Sequence, residues 1–237
     1  MLVARRIERL EELGRELTQN FGIAAHCIAA DLADPASPAR IVREVPDHCE
    51  VDLLVNAAGL GVHGFFASTS LEKELESIRV NVLALTELTK LFLPGMLARR
   101  SGVIVNLAST AAFQPGPLMA VYYATKAHVL SFTEALAEEL HGTGVTATAL
   151  CPGPTVTEFQ KHAGMEDTPL FSGFLVSDAA TVARAGYDGA MRGKRVVVPG
   201  LANRILGLGA RLSPRRLSTR IARKLQEKRS RGPGNGS

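Results

Sequence analysis

Gly102-Val103-Ile104-Val105-Asn106-Leu107-Ala108-Ser109 and, thirteen residues after that serine, Tyr122-Tyr123-Ala124-Thr125-Lys126 decide how this chain folds. The first run is short, apolar and rich in β-branched side chains, which predicts a buried strand. Ser109 falls at its carboxyl end, where open α/β sheets place their chemistry. Phe113-Gln114-Pro115-Gly116-Pro117 cannot continue a helix, so the next helix is predicted to open after it, over residues 121–142. Residues four apart share a helix face, which lets the Tyr122 phenol and the Lys126 ammonium point into one pocket. A free phenol has a pKa of about 10, and a fixed positive charge lowers it. Bringing it to about 7 requires roughly 4 kcal/mol of differential stabilisation, to which a close ammonium in a partly desolvated cleft is expected to contribute. Tyr123 lies three residues from Lys126, and geometry alone does not remove it as a competitor.

Outward from this centre, strands alternate with helical patterns, the signature of a parallel sheet covered on both faces. Strands are predicted at Leu2 to Ala4 and near 23–30, 51–56, 102–108, 145–151 and 195–198. Helices are predicted over 5–20, 36–45, 71–99, 121–142 and 178–192, with Pro94 kinking or interrupting the third. Asp34, before Pro35, is read as the cap of the second helix. No internal repeat is visible.

Further motifs lie at the strand ends in the same order. Asn56-Ala57-Ala58-Gly59 follows the strand beginning at Val51, Asp31-Leu32 follows the strand ending at Ala30, and Pro152-Gly153-Pro154-Thr155-Val156-Thr157 follows Cys151. With Asn81 and the Ser109, Tyr122 and Lys126 pattern, the sequence resembles the short-chain dehydrogenase/reductase family over about residues 1–200. The resemblance implies an α/β, Rossmann-like, doubly wound parallel sheet and an oxidoreductase moving hydride between a nicotinamide cofactor and a carbonyl or alcohol. By resemblance Tyr122 is the acid–base residue, Ser109 polarises the carbonyl, and Lys126, helped by an oxidised nicotinamide ring, lowers the Tyr122 pKa and also bonds the nicotinamide ribose. Asn81 holds a water linking Lys126 to solvent. Arg5, Arg6, Asp31, Leu32, Asn56, Ala57, Ala58, Gly59, Pro152, Gly153, Thr155 and Thr157 join Tyr122 and Lys126 as cofactor-binding residues. The family pattern selects Tyr122 over Tyr123, which then packs or lines the entrance.

Family members open with a strand and a Gly-rich turn, whereas the first glycine here is Gly14, inside a predicted helix. The reading is N-terminally truncated relative to the family, with the true start expected roughly 30 residues upstream, the size of a βα unit. A sheet lacking that strand is expected to expose two strand edges. Leu2-Val3-Ala4-Arg5-Arg6 has no acid until Glu8, and an Arg at this place accommodates the 2′-phosphate of NADP. Two cations at a helix's positive end ask for an anionic partner, so NADP is expected ahead of NAD.

The chain has 237 residues, 46% hydrophobic and 21% charged, suited to one domain with a sizeable core. No uninterrupted apolar run reaches a membrane span, and Arg5 and Arg6 stand where a signal peptide needs apolar residues. A cytoplasmic location is expected, with membrane-peripheral contact as the alternative. Cys27 and Cys151 are read as inert thiols in buried strands. The histidines lack metal-ligand spacing and there is no Gly-x-Ser-x-Gly elbow, so metal and serine-hydrolase chemistry fit poorly.

Residues 158–176 hold Phe159, Met165, Leu170, Phe171, Phe174 and Leu175. By resemblance this is the lid over the substrate, and its apolar content points to a lipophilic carbonyl; anchoring of the loop to the core is the competing reading. Residues 201–237 carry ten Lys or Arg against one acid, Glu227. Leu201, Ile205, Leu208 and Leu212, then Leu217, Ile221 and Leu225, recur at helical spacing. A basic amphipathic extension is predicted over 201–230, with a disordered tail over 231–237. Packing of the apolar stripes on the domain, with Arg heads in solvent, is the default; an anionic membrane or a partner is the alternative. Nucleic acid is disfavoured because no aromatics interleave with the charges. A homo-oligomer is implied by resemblance. Competing readings are a non-catalytic fragment or regulatory binder, and a membrane-surface protein led by its basic extension.

Overall fold

A computed structural model describes residues 1–46, 48–165, 168 and 176–227. Leu170, Phe171, Phe174, Leu175 and the 231–237 tail lie outside the described residues. The chain runs β1 (Leu2–Ala4), α1 (Ile7–Phe21), β2 (Cys27–Ala29), α2 (Ser37–Arg43) and β3 (Leu53–Asn56). The long helix of α3 (Leu71–Ile78), a π-helical turn (Arg79–Ala84) and α4 (Leu85–Arg99) follows. Next come β4 (Gly102–Leu107), α5 (Ala120–Glu139), β5 (Val145–Leu150), α6 (Phe159–Ala163), α7 (Ala179–Met191) and β6 (Val196–Val197). Helices α8 (Leu201–Leu212) and α9 (Arg215–Gln226) end the described chain.

The strands pair in parallel, as the alternating pattern requires, and they form two sheets. One holds β1 and β2; the other has the order β3-β4-β5-β6. Alternation along β4 and β5 splits the core between two faces. Ile104 and Ala147 pack with Met96, Leu136 and Leu140 of α4 and α5. Val105 and Leu150 pack with Val182 and Ala190 of α7 and Val197 of β6. Leu53 and Val55 of β3 stay exposed, and both line a cleft that also touches Val3 and Ala4 of β1.

Three details depart from the sequence reading. Pro94 sits inside α4 without ending it, and the long helix leaves α geometry at the Arg79–Ala84 turn instead. Helix α2 takes Ala36 as its cap; Asp34 makes an Asx turn two residues earlier, its Oδ1 accepting from the Ala36 N–H at 3.0 Å. Cys27 is only half-buried. By length and composition alone, Leu71–Arg99 could also cross a membrane, although Arg79, Glu87 and Lys90 interrupt its apolar residues. Here Val80, Ala84, Leu85, Leu88 and Met96 turn into the protein.

A buried polar chain holds the layers in register. Asn56 Nδ2 donates to Asn106 Oδ1 at 2.9 Å and to Thr89 Oγ1 at 3.1 Å, and Asn106 Nδ2 donates to Thr133 Oγ1 at 3.0 Å. It ties β3 to β4, and both to the helices beneath. Asn106 is 0% exposed, so truncating it strands buried partners. Asn106→Ala is expected to cost about 2–3 kcal/mol, lowering the unfolding midpoint by roughly 5–10 °C in a thermal melt.

Candidate active site

The strand ends deliver Ser109, Tyr122 and Lys126 to one cleft of about 1280 Å³. Ser109 follows β4 and caps a short 3-10 turn, its Oγ accepting from the Ala111 N–H at 3.1 Å. The serine hydroxyl also makes a long 3.5 Å contact to the Pro152 carbonyl. Tyr122 and Lys126 lie one turn apart on α5, with Nζ 5.9 Å from the centre of the phenol ring. Lys126 is 3% exposed and donates to the Leu107 carbonyl at 2.6 Å.

The electrostatics of the cofactor-free site differ from those expected with an oxidised nicotinamide bound. Burial pushes the Tyr122 phenol up to about 12, and the Ser109 hydroxyl offsets only part of that rise. Burial also brings the Lys126 ammonium down to about 8, with Cys151 acting weakly in the opposite sense. Desolvation therefore outweighs the attraction expected between ammonium and phenolate. Without cofactor the phenol is a neutral proton donor at pH 7, not a group poised near 7.

The paired tyrosines separate by direction. Tyr123 is buried, and its hydroxyl accepts from Gln226 Nε2 at 2.8 Å. Tyr122 faces Phe159, ring centres 5.1 Å apart, while Met119, Ala163 and Met165 pack nearby. Gln226 and the His63 ring, which lies 2.7 Å from the Gln226 carbonyl oxygen, carry no motif and escaped the sequence reading. The available signal was Ser218, Ala222 and Gln226 at four-residue spacing, a small-residue face ending in an amide.

The same cleft that holds Ser109, Tyr122 and Lys126 is lined by Ala57, Ala58 and Gly59, by Asp31, Leu32, Arg5 and Arg6, and by Pro152, Gly153, Thr155 and Thr157. Gly59 lets backbone close on Lys126, since a Cβ there would lie 3.3 Å from its Nζ. Two predicted residues stand behind this surface. Asn56 is spent on the inter-strand network described above. Asn81, 1% exposed in the π turn, accepts from the Leu60 N–H and donates to the Leu60 carbonyl, both at 2.8 Å, and also donates to Thr125 Oγ1 at 2.9 Å. A π turn commonly marks a functional position, and this one clamps the Gly59-Leu60 loop against α5.

The anionic partner expected for the N-terminal arginines lies within the chain. Arg6 and Arg9 bind Glu158 at 2.7 and 2.6 Å, and Arg5 reaches Glu76 at 3.4 Å. Hydrogen bonds from Arg6 and Arg9 hold the Glu158 carboxyl at about 2. Asp31 accepts from the Ala33 N–H at 2.9 Å, a turn-forming bond.

With this geometry in place, the comparisons with known proteins are specific. The short chain dehydrogenase family model matches residues 1–168. A ketoacyl reductase of Nostoc sp., HetN, is 38% identical over 133 residues, 56% of this chain and 46% of that protein. A very-long-chain 3-oxoacyl-CoA reductase of Anas platyrhynchos is 30% identical over 164 residues, 68% of this chain and 53% of that protein. The chain thus spans about half the length of these curated relatives. Among solved structures, a short-chain dehydrogenase from Sphingobium yanoikuyae in complex with NADPH superposes with a TM-score of 0.79 at 32% identity, covering 89% of this chain and 82% of that one.

Proposed function

This chain belongs to the short-chain dehydrogenase family, and on that premise we propose that it serves an NADP-preferring oxidoreductase interconverting a lipophilic carbonyl compound and its alcohol. The observation that carries the reading is the convergence of Ser109, Tyr122 and Lys126 in one cleft, with a buried phenol that keeps its proton at neutral pH.

The residues present fit a nicotinamide dinucleotide, because the cleft runs unbroken from the arginines to Tyr122 and gives ground at Gly59. Arg5, Arg6, Asp31 and Leu32 would hold its adenosine end, Ala57 to Gly59 its middle, and Pro152, Gly153, Thr155 and Thr157 its nicotinamide end. When bound it supplies the hydride, which no side chain can carry. The protein's part is proton transfer and polarisation. Tyr122 gives its proton to the carbonyl oxygen during reduction, and Ser109 donates a hydrogen bond to that same oxygen. Lys126 returns the proton to Tyr122, with Asn81 and the Leu60 backbone fixing the loop beside it. Phe159 and Met165 supply the apolar wall on the substrate side, in keeping with acyl-chain carbonyls of the kind named for the two reductase relatives. Outward-facing Leu75, Leu83 and Leu91 on the long helix support pairing of two copies.

NADP preference follows from Arg5 and Arg6 at the end of β1, a preference supported by the NADPH-bound relative. A 2′-phosphate would displace Glu158 from Arg6. Titrations of NADPH and NADH, followed by nicotinamide fluorescence, are expected to show a weakening of NADPH by about tenfold or more in Arg5→Ala/Arg6→Ala, with NADH nearly unchanged. Equal losses for both cofactors would remove the arginines from phosphate recognition.

A further inference from the structure

Helices α8 and α9 sit on the domain the wrong way round for ordinary packing. An amphipathic helix normally turns its apolar stripe inward, and that was the default expectation here. Instead α8 buries Asn203 and Gly207. Asn203 abuts Gly153, where a Cβ would lie 2.4 Å from its Oδ1, and Gly207 meets the Phe113 ring, where a Cβ would come to 2.9 Å. Helix α9 buries Ser218, Ala222 and Gln226. The polar and small faces dock; of the apolar stripes, Ile205, Ile221 and Leu225 border the cleft, while Leu201, Leu208, Leu212 and Leu217 lie outside its lining. Leu201, Ile205, Leu208 and Leu212 of α8, with Leu217, Ile221 and Leu225 of α9, are each 40–77% exposed.

The same two helices carry Arg204, Arg211, Arg215, Arg216, Arg220, Arg223 and Lys224, and residues 201–226 contain no acid. Among the described residues the acid beside them is Glu227, which Arg223 holds at 2.9 Å. A partner for this surface must accept apolar side chains and also supply negative charge. A second copy docked face to face would set seven cations against seven. A nucleic acid would leave the leucines in water. An anionic lipid surface meets both demands at once, taking the leucines at the acyl boundary and the arginines among the headgroups.

We propose that α8 and α9 form a docking surface for an anionic lipid bilayer. The surface is continuous with the catalytic cleft, since Ile205 and Leu206 of α8 and Ile221 and Leu225 of α9 also line it. Given the reductase reading above, a carbonyl compound dissolved in the bilayer would reach Tyr122 along an apolar wall. Docking itself does not depend on that reading.

The test is flotation of the protein with vesicles rich in phosphatidylglycerol and with pure phosphatidylcholine vesicles, at low and high salt, without cofactor or substrate. The protein is expected to float with the anionic vesicles and to be released by salt. Leu208 and Leu212 lie outside the cleft lining, so Leu208→Glu/Leu212→Glu is expected to cut partitioning at least tenfold, about 1.4 kcal/mol, with the melting temperature and NADPH titration unchanged. Equal flotation of parent and variant overturns the proposal, as does no flotation with anionic vesicles. A parent dimer that the same variant dissociates in light scattering also overturns it, by making the face a contact between copies. Loss of docking with intact NADPH-dependent turnover would leave the enzymatic reading standing.

Discussion

Tyr122→Phe is expected to lower kcat/KM for carbonyl reduction by about 10²–10⁴-fold, the range that a positioned proton donor contributes. The substitution removes one oxygen and leaves the ring against Phe159, so fold and cofactor affinity should hold. Steady-state NADPH oxidation with a panel of lipophilic ketones and aldehydes measures the loss; rates within threefold of the parent on every substrate turned over would remove Tyr122 from the chemistry. Tyr123→Phe is the control. Its hydroxyl is taken by Gln226 at 2.8 Å, so losing it should disturb the seat of α9 while sparing the chemical step. The pH profile follows from the raised phenol, at about 12. Below that value Tyr122 keeps its proton, so reduction should stay supplied with acid through neutral and mildly alkaline pH. Alcohol oxidation needs the phenolate and should climb with pH across the same interval.

The centre of the fold was legible because each signal was local. Gly102–Leu107 reads as a strand from its β-branched run, and the Pro-Gly-Pro segment dictates where α5 can open. Order along the chain then put Ser109, Tyr122 and Lys126 together. What escaped depended on contacts between distant residues. Gln226, 103 positions later, holds the Tyr123 hydroxyl. Asn56 is read from the sequence as a cofactor-binding residue, yet Asn106 and Thr89, 50 and 33 positions on, draw it into the core network. Periodicity located the leucine stripes of α8 and α9 correctly and misjudged which way they face. A stripe records that a face is apolar, while its burial depends on the surface it meets, here a floor shaped for Asn203 and Gly207. The raised phenol of the cofactor-free site was illegible for a related reason: sequence shows the neighbouring charge, whereas desolvation is a property of the whole packed site.

Lys126→Met should abolish turnover and leave the cofactor-free chain at least as stable as the parent near pH 7. Activity falls because the proton path to Tyr122 and the ribose contact both end at Nζ. Stability moves the other way because burial sets the lysine at about 8, below its ordinary 10.5. The gap between those two values corresponds to a penalty of roughly 3 kcal/mol when both states are charged. Methionine removes the penalty and fills similar space, but strands the Leu107 carbonyl, at a cost of about 1–3 kcal/mol. The net is a gain of about 0–2 kcal/mol, or up to a few degrees in midpoint. The pH dependence separates this account from simple repacking. With the folded pKa below the unfolded one, the unfolded chain binds more protons between about 8 and 10.5, so the parent's stability receives a rising contribution across that window. Below pH 8 both states are protonated and the full penalty stands. Tyr122 works in the opposite sense above its unfolded value of 10 and Cys151 above its unfolded 9.0; both are present in parent and variant, so the difference between their denaturant melts from pH 7.5 to 9.5 reports the lysine. The difference in stability between parent and Lys126→Met should shrink as pH rises through that interval. A difference that stays constant, or a variant several kcal/mol weaker at pH 7, would mean that the ammonium is compensated where it lies, and the site would then hold its proton relay without strain.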